Sequence, residues 1–201
     1  MLKREGLVIN HKHTERIYRE EGLALRRKRR RKEAAMPAPR RPNERWSMDF
    51  VSDSIVTGRR FRALTVVDDF SRECPVIEVD TSLGGVRVVN VLERLAETRG
   101  LPQVITTDNG PEFAGKALDA WAYRRGVTLN FIRPGKPMEN ALAESFNGRF
   151  RDECLNTNWF LNLQHAREVI EDWRKDYNEV RPHSALKDLT PREYTEATTA
   201  L

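Results

Sequence analysis

The chain has only two cysteines, Cys74 and Cys154, in 201 residues. That number implies no disulfide framework, and neither cysteine sits in a repeated Cys/His spacing of the kind that holds zinc; two free thiols in a reducing cytoplasm are the expectation. No stretch approaches the apolar length of a membrane span, and no apolar secretory region follows the amino terminus. A membrane partner is therefore not expected. No internal repeat is visible. The four histidines offer no metal-ligand pattern: His11, His13 and His165 stand apart, and His183 has no paired Cys or Ser nucleophile. His183, within Arg181-Pro182-His183, is read as a structural or DNA-contact residue.

What the sequence does have is charge, unevenly placed. Lys and Arg number 35 against 30 Asp and Glu, a formal net charge of +5, with 39% apolar residues. The excess is small, but Arg26, Arg27, Lys28, Arg29, Arg30, Arg31 and Lys32 form one uninterrupted basic run. Like charges at this density repel one another and stay solvated unless a polyanion is present, so the run is a candidate nucleic-acid contact. Residues 1–25 have a short apolar face (Ile17, Tyr18, Leu23, Leu25) and read as a partial helical segment. Residues 36–45 hold three prolines and read as an extended linker.

The periodic segments begin at Trp46. Strands are expected over 46–56, 60–68 and 73–79, joined by short turns as in an antiparallel meander, with Pro75 best tolerated on an edge strand. A helix follows over 85–98, with Val86, Val89, Leu92 and Leu95 on one side and Gly100 as its stop. Then come a buried strand at 104–107, a helix over 113–125 stopped by Gly126, and a strand at 127–132. After a Pro/Gly loop, Asn140 is placed to cap a helix running to about residue 154, with Leu142, Phe146 and Phe150 toward the core. A last helix covers 163–177. Trp121, Trp159 and Trp173 are read as core anchors. The fold class is α/β, a mixed five-stranded sheet flanked by helices behind a basic amino-terminal arm. Three regions follow: the arm and linker (1–45), a core (46–160), and a carboxy-terminal helix and tail packing on it (161–201).

Three acids stand out by context: Asp49 in Trp46-Ser47-Met48-Asp49-Phe50, Asp108 in Thr107-Asp108-Asn109-Gly110, and Glu144 between Asn140 and Gly148. They fall in the first strand, at the carboxyl end of the fourth, and one turn into a helix, so they can converge without being neighbours in sequence. Three hard oxygen donors suit Mg²⁺ or Mn²⁺, and two such ions ~3.5–4 Å apart would activate an attacking oxygen and stabilise a leaving one in phosphoryl transfer. Each acid also has a plainer reading. Asp108 alone can form an Asx turn before Asn109-Gly110, and Glu144 alone can be a solvent-facing helix residue. Asp68 and Asp69 read as turn residues, and Asn109 and Glu112 as groups that orient Asp108 or approach substrate. Lys136 can touch phosphate or simply be solvated. Asn140, Glu144, Asn147 and Arg151 share a helix face by spacing, a polar stripe that can run along DNA or face solvent.

These motifs resemble the insertion-sequence transposases of the DDE class, whose catalytic core is similar to that of retroviral integrases and has a ribonuclease H-like fold. The resemblance rests on the three acid contexts, on Val66-Val67-Asp68-Asp69-Phe70-Ser71-Arg72, Pro134-Gly135-Lys136-Pro137 and Tyr177-Asn178-Glu179-Val180-Arg181-Pro182-His183, and on Thr190-Pro191-Arg192-Glu193. It also rests on the thirty-five residues between Asp108 and Glu144. It implies that Asp49, Asp108 and Glu144 are the catalytic and metal-binding acids. It further implies Mg²⁺-dependent DNA strand cleavage and 3′-hydroxyl strand transfer without a covalent protein–DNA intermediate, on element ends and target DNA, by a homo-oligomer in the bacterial cytoplasm at the nucleoid. Family members carry a fuller helical region before the core and often an upstream helix-turn-helix portion or partner, so a truncated DNA-binding regulator is the alternative reading. A ribonuclease H-like nuclease without joining activity is a third.

Neutralising the run from Arg26 to Lys32 is expected to weaken DNA binding with little sequence bias. It should also flatten the salt dependence by about 0.9 log unit for each phosphate no longer neutralised. Titrations of the two chains across a salt series measure both; unchanged affinity and slope would reassign the run to a solvated tail.

Overall fold

The computed structural model describes residues 20, 37–133 and 140–199, and the chain divides into two units, Met1–Ala35 and Met36–Leu201. The helical segment expected within residues 1–25 lies, but for Glu20, outside the described residues.

In the second unit, β1 (Arg45–Ser54), β2 (Arg60–Asp68) and β3 (Val76–Asp80) form the antiparallel meander. Helix α1 (Gly85–Arg99) leads to β4 (Val104–Thr107), and α2 (Lys116–Arg125) leads to β5 (Thr128–Phe131). Both of these strands run parallel to β1, giving the sheet order β3-β2-β1-β4-β5. Helix α3 (Ala141–Phe150) continues into a π-helical turn, Arg151–Leu155. Helix α4 (Leu163–Glu179), a 3₁₀ turn at Ser184–Leu186 and α5 (Pro191–Thr199) complete the chain.

Alternation along the strands distributes the core over both faces of the sheet. Phe61, Ala63 and Val67 of β2, with Val51 of β1, pack against Phe146, Phe150, Trp173 and Tyr177 of α3 and α4. Leu64 and Val66, with Trp46 and Met48, pack against Val88, Leu92 and Trp121 of α1 and α2. Covering both faces explains why β2 reads as a nearly continuous apolar run. Rings join α3 to α4: Phe146 meets Tyr177 edge-on at 5.0 Å, and Phe150 lies 5.1 Å from Trp173. Each buried ring contributes about 1.5–3 kcal/mol, which fixes the helix bearing Glu144 against the sheet. Cys74 and Cys154 are free and buried in this same cluster, and burial pushes both thiols up to about 12.

Several elements differ from the expectation, each for a local reason. The third strand starts at Val76 rather than residue 73, because Pro75 has no N–H and the Cys74 amide donates instead to Asn178 Oδ1 (2.8 Å). It is an edge strand, as Pro75 requires. Helix α2 starts at Lys116 rather than residue 113, since the Phe113 and Ala114 amides both close a turn onto the Gly110 carbonyl. Gly126 ends α2 in the left-handed conformation, φ 68°. On α1 the buried stripe is Val88, Val91, Leu92 and Leu95, whereas Val86 faces solvent. Leu142 is only half-buried, and Trp159 is 83% exposed on the loop before α4 instead of anchoring the core. Asn140 precedes α3 but makes no side-chain cap. Helix α5 lies beyond the last expected helix, although its signal is in the sequence. Thr190 and Glu193 form a reciprocal capping box (2.9 and 3.2 Å) with Pro191 at the first helical position.

Candidate active site

The parallel pairing of β1 with β4 sets the site. Arg45 pairs with Val104, Trp46 with Ile105 and Ser47 with Thr106. Continued upward, that register brings Asp108, just past the end of β4, level with Asp49. Asp49 has the parity of Val51, so its side chain lies on the face covered by α3 and α4. Its Oδ1 accepts the Phe50 amide (2.7 Å) and its Oδ2 accepts from Asn147 Nδ2 (2.9 Å). Asn147 Oδ1 in turn accepts from the buried Thr65 hydroxyl (2.9 Å), and Thr65 is the cross-strand partner of Asp49. The Asp49 carboxylate takes the Nδ2 end of that amide, which leaves Oδ1 toward Thr65. Because Asn147 follows Glu144 by three residues, the same contact docks the exposed Glu144, on α3, beside the first acid.

Burial raises the pKa of the Asp49 carboxyl, and repulsion from Asp108 and from Glu144 raises it further; the Phe50 amide and Asn147 oppose them. The three acids are thus close enough for both partners to repel Asp49. Among the described residues, no three His, Cys, Asp or Glu side chains are arranged so that they could hold an ion as they stand. The donor set nonetheless fits a hard divalent cation: all three groups are carboxylates, and a cation would relieve the repulsion they now exert.

The Asx turn open to Asp108 as its plainer reading does form. Asp108 Oδ1 accepts the Gly110 amide (3.0 Å), which holds the carboxylate at the strand end. Asn109 Nδ2 donates to the Ile132 carbonyl (2.7 Å), tying this loop to the segment after β5. Glu112 forms an ion pair with Arg62, whose hydrogen bond lowers the Glu112 pKa. Nothing in the local sequence singles out Arg62 or Thr65. Arg62 is fifty residues from Glu112, and no local pattern links them.

Two residues expected along DNA face elsewhere. Asn140 is buried, 3% exposed, and Asn147 is half-buried with both ends of its amide engaged by Asp49 and Thr65. The polar stripe is therefore split, because the helix packs its Asn147 edge onto the sheet; Glu144 and Arg151 remain exposed. Arg26, Arg27, Lys28, Arg29, Arg30, Arg31, Lys32 and Lys136 lie outside the described residues. Asp68 and Asp69 are structural, as their turn position suggested. Asp68 accepts the Phe70, Ser71 and Asn43 amides, and Asp69 pairs with Arg45 and Ser47. His183 is buried edge-on against Tyr177 (4.8 Å), its Nδ1 3.4 Å from Arg149. Burial, then Arg149, hold its pKa below the usual imidazole value.

Residues 39–137 and 125–191 each match a family model described as an integrase core domain. A 31.7 kDa protein of insertion element IS407 from Burkholderia multivorans is 53% identical over 96% of this chain and 72% of its own length. A 39.2 kDa protein of insertion element IS476 from Xanthomonas euvesicatoria is 45% identical over 96% of this chain and 58% of its own length. The putative transposase InsK of IS150 from Escherichia coli is 29% identical over 98% and 75% of the two chains. Among solved structures, a simian T-cell lymphotropic virus intasome chain matches with TM-score 0.67 at 20% identity, over 77% of this chain and 55% of that one. The HTLV-2 integrase catalytic core in complex with magnesium matches with TM-score 0.59 at 17% identity, over 77% and 97%. At these identities the structural matches establish the fold, that of retroviral integrase catalytic cores.

The Asp49 shift has a sign that can be tested. Its folded pKa lies above the ordinary Asp value. Its contribution to stability is therefore complete below that ordinary value and is lost as pH rises through the raised one. In metal-chelated buffer, Asp49→Asn is expected to gain stability relative to the parent chain as pH climbs through that window. Urea melts across a pH series measure this; a difference that stays constant with pH would contradict the raised pKa that burial, then Asp108 and Glu144, give Asp49.

Proposed function

We propose, for a chain that belongs to the insertion-sequence transposases with an integrase core domain, that Asp49, Asp108 and Glu144 are the acids of its DNA strand-transfer site. The function is that of a DNA transposase/integrase, an enzyme that cuts DNA and joins strands. The observation that carries the residue assignment is the β1–β4 register, which brings Asp108, just past the end of β4, level with Asp49, with Glu144 docked beside Asp49 through Asn147.

Mg²⁺ or Mn²⁺, as two ions, would be held by these three carboxylates and would supply Lewis acidity toward the scissile phosphate and charge for the attacking and departing oxygens. The magnesium named with the HTLV-2 integrase core supports this choice of ion. The chain's own residues do the positioning. The Phe50 amide and Asn147 fix both oxygens of Asp49, and the Gly110 amide fixes one oxygen of Asp108. Glu144, exposed on α3, is the acid most open to DNA. Arg151, farther along the same helical run, together with Lys136 and the basic run from Arg26 to Lys32, contacts phosphates, giving affinity without sequence preference. The partners are the element ends and target DNA at the nucleoid, engaged by a multimer of this chain; the intasome likeness supports that assembly. Recognition of the ends falls to a helix-turn-helix portion upstream of the core.

No feature of the site favours a regulator without catalysis, since all three acids are present and Asp49 is repelled by both of its partners. Among the described residues, no helix is long and apolar enough to cross a membrane.

With Mg²⁺ and DNA carrying the element ends, Asp49→Asn, Asp108→Asn and Glu144→Gln are each expected to lower 3′-hydroxyl joining by at least about a hundredfold, with the fold and most DNA affinity kept. End-joining and gel-shift assays on the same preparations measure both. Normal joining by any one variant excludes that residue, and cleavage without joining by the parent chain favours a nuclease.

A further inference from the structure

We propose that Arg62 is a positioning residue for the second acid and acts through Glu112. The proposal deepens the reading above and rests on Asp108 as that second acid. Arg62 lies on β2, two residues from Leu64, the cross-strand partner of Phe50. Its guanidinium sits over the Phe50 ring at 4.1 Å and pairs with the Glu112 carboxylate. Phe50 stacks on Phe113 at 4.9 Å. The residue after Asp49 is therefore joined to the loop after Asp108 twice, by a ring stack and by an ion pair that crosses the same ring.

The loop being held is a tight one. The Phe113 and Ala114 amides both donate to the Gly110 carbonyl at 2.9 Å, and Phe113 is fully buried. Gly110 in turn gives its amide to Asp108 Oδ1. A Cβ at Gly110 would lie 3.0 Å from Asp108 Oδ1 and 3.2 Å from Glu112 Oε2, so two carboxylates crowd one glycine. Arg62 draws Glu112 toward β2 and so ties the loop after Asp108 to that strand. With side chains 32% and 20% exposed, the pair is partly withdrawn from water, and the ring beneath Arg62 adds a cation–π contribution. Without either partner of the ion pair, the loop after Asp108 keeps only the ring stack as its tie to the sheet, the turn loosens, and Asp108 loses its place beside Asp49.

The test is a mutant cycle on the full chain: Arg62→Met, Glu112→Gln, and the two combined. Amide exchange at Phe113 and Ala114 is followed without metal, and Mn²⁺ binding is followed on the same preparations. Each single variant is expected to speed exchange at these amides about tenfold while the β2–β3 ladder is unchanged. Because the two residues act as one unit, the double variant should also be about tenfold faster, not about a hundredfold. Mn²⁺ affinity should fall about tenfold in all three variants. Unchanged exchange in the single variants, or multiplying effects in the double, overturns the pairing. Faster exchange with Mn²⁺ affinity equal to the parent's overturns the link to Asp108. A parent chain that binds no Mn²⁺ contradicts the metal site itself, while the exchange rates still decide whether Arg62 holds the loop.

Discussion

Parallel pairing between β1 and β4 is the constraint on which the acidic site depends, because it alone brings two residues from distant parts of the sequence to the same height. The offset that pairs Arg45 with Val104 carries Asp108 to the level of Asp49. Parallel strands need a crossover between them, and β2, β3 and α1 supply it, covering the sheet on the way. The face that α1 and α2 leave to α3 and α4 is the one onto which Asp49 points. The third acid then needs only a helix docked on that face, and Asn147 docks it by holding Asp49 itself.

Placing like charges together has a cost, and the surrounding contacts offset part of it. Burial and repulsion both raise Asp49, while the Phe50 amide and Asn147 favour its ionised form. Asp108 has the Gly110 amide, and the nearby Glu112 has Arg62. The remaining repulsion suits a cation site: an arrangement relaxed without metal would gain little from binding one. Stability for holding this geometry comes from elsewhere, chiefly the aromatic cluster of Phe146, Phe150, Trp173 and Tyr177 that clamps α3 and α4 to the sheet.

Much of this was legible in the chain. β2 and β4 fall where their apolar runs end at turn residues, and α1 stops at Gly100, because periodicity and chain punctuation are local signals. The three acids were singled out by their sequence contexts and by the resemblance those contexts carry, and the fold brings Asp108 and Glu144 near Asp49. What escaped depends on tertiary pairing. The spacing of Asn147 from Glu144 put both on one face but could not say that the face was split between solvent and Asp49. Trp159 looks like a core residue by type, yet the loop before α4 leaves it in water. Arg62 has no local feature that sets it apart from other arginines, since its partner is fifty residues away. Helix α5 is the instructive exception: Thr190-Pro191-Arg192-Glu193 spells a capping box, so its start is marked by a local signal.

On the proposed reading, one cation site draws in all three acids. A crystal structure of the chain grown with Mn²⁺, with anomalous scattering used to place the ion, tests it most directly. The account predicts a peak between Asp49 and Asp108, with an oxygen of each at about 2.1 Å and Glu144 turned toward the same site. A peak held by other residues, or a structure in which Asp49 and Asp108 stay on opposite sides of the bound ion's shell without touching it, would contradict it.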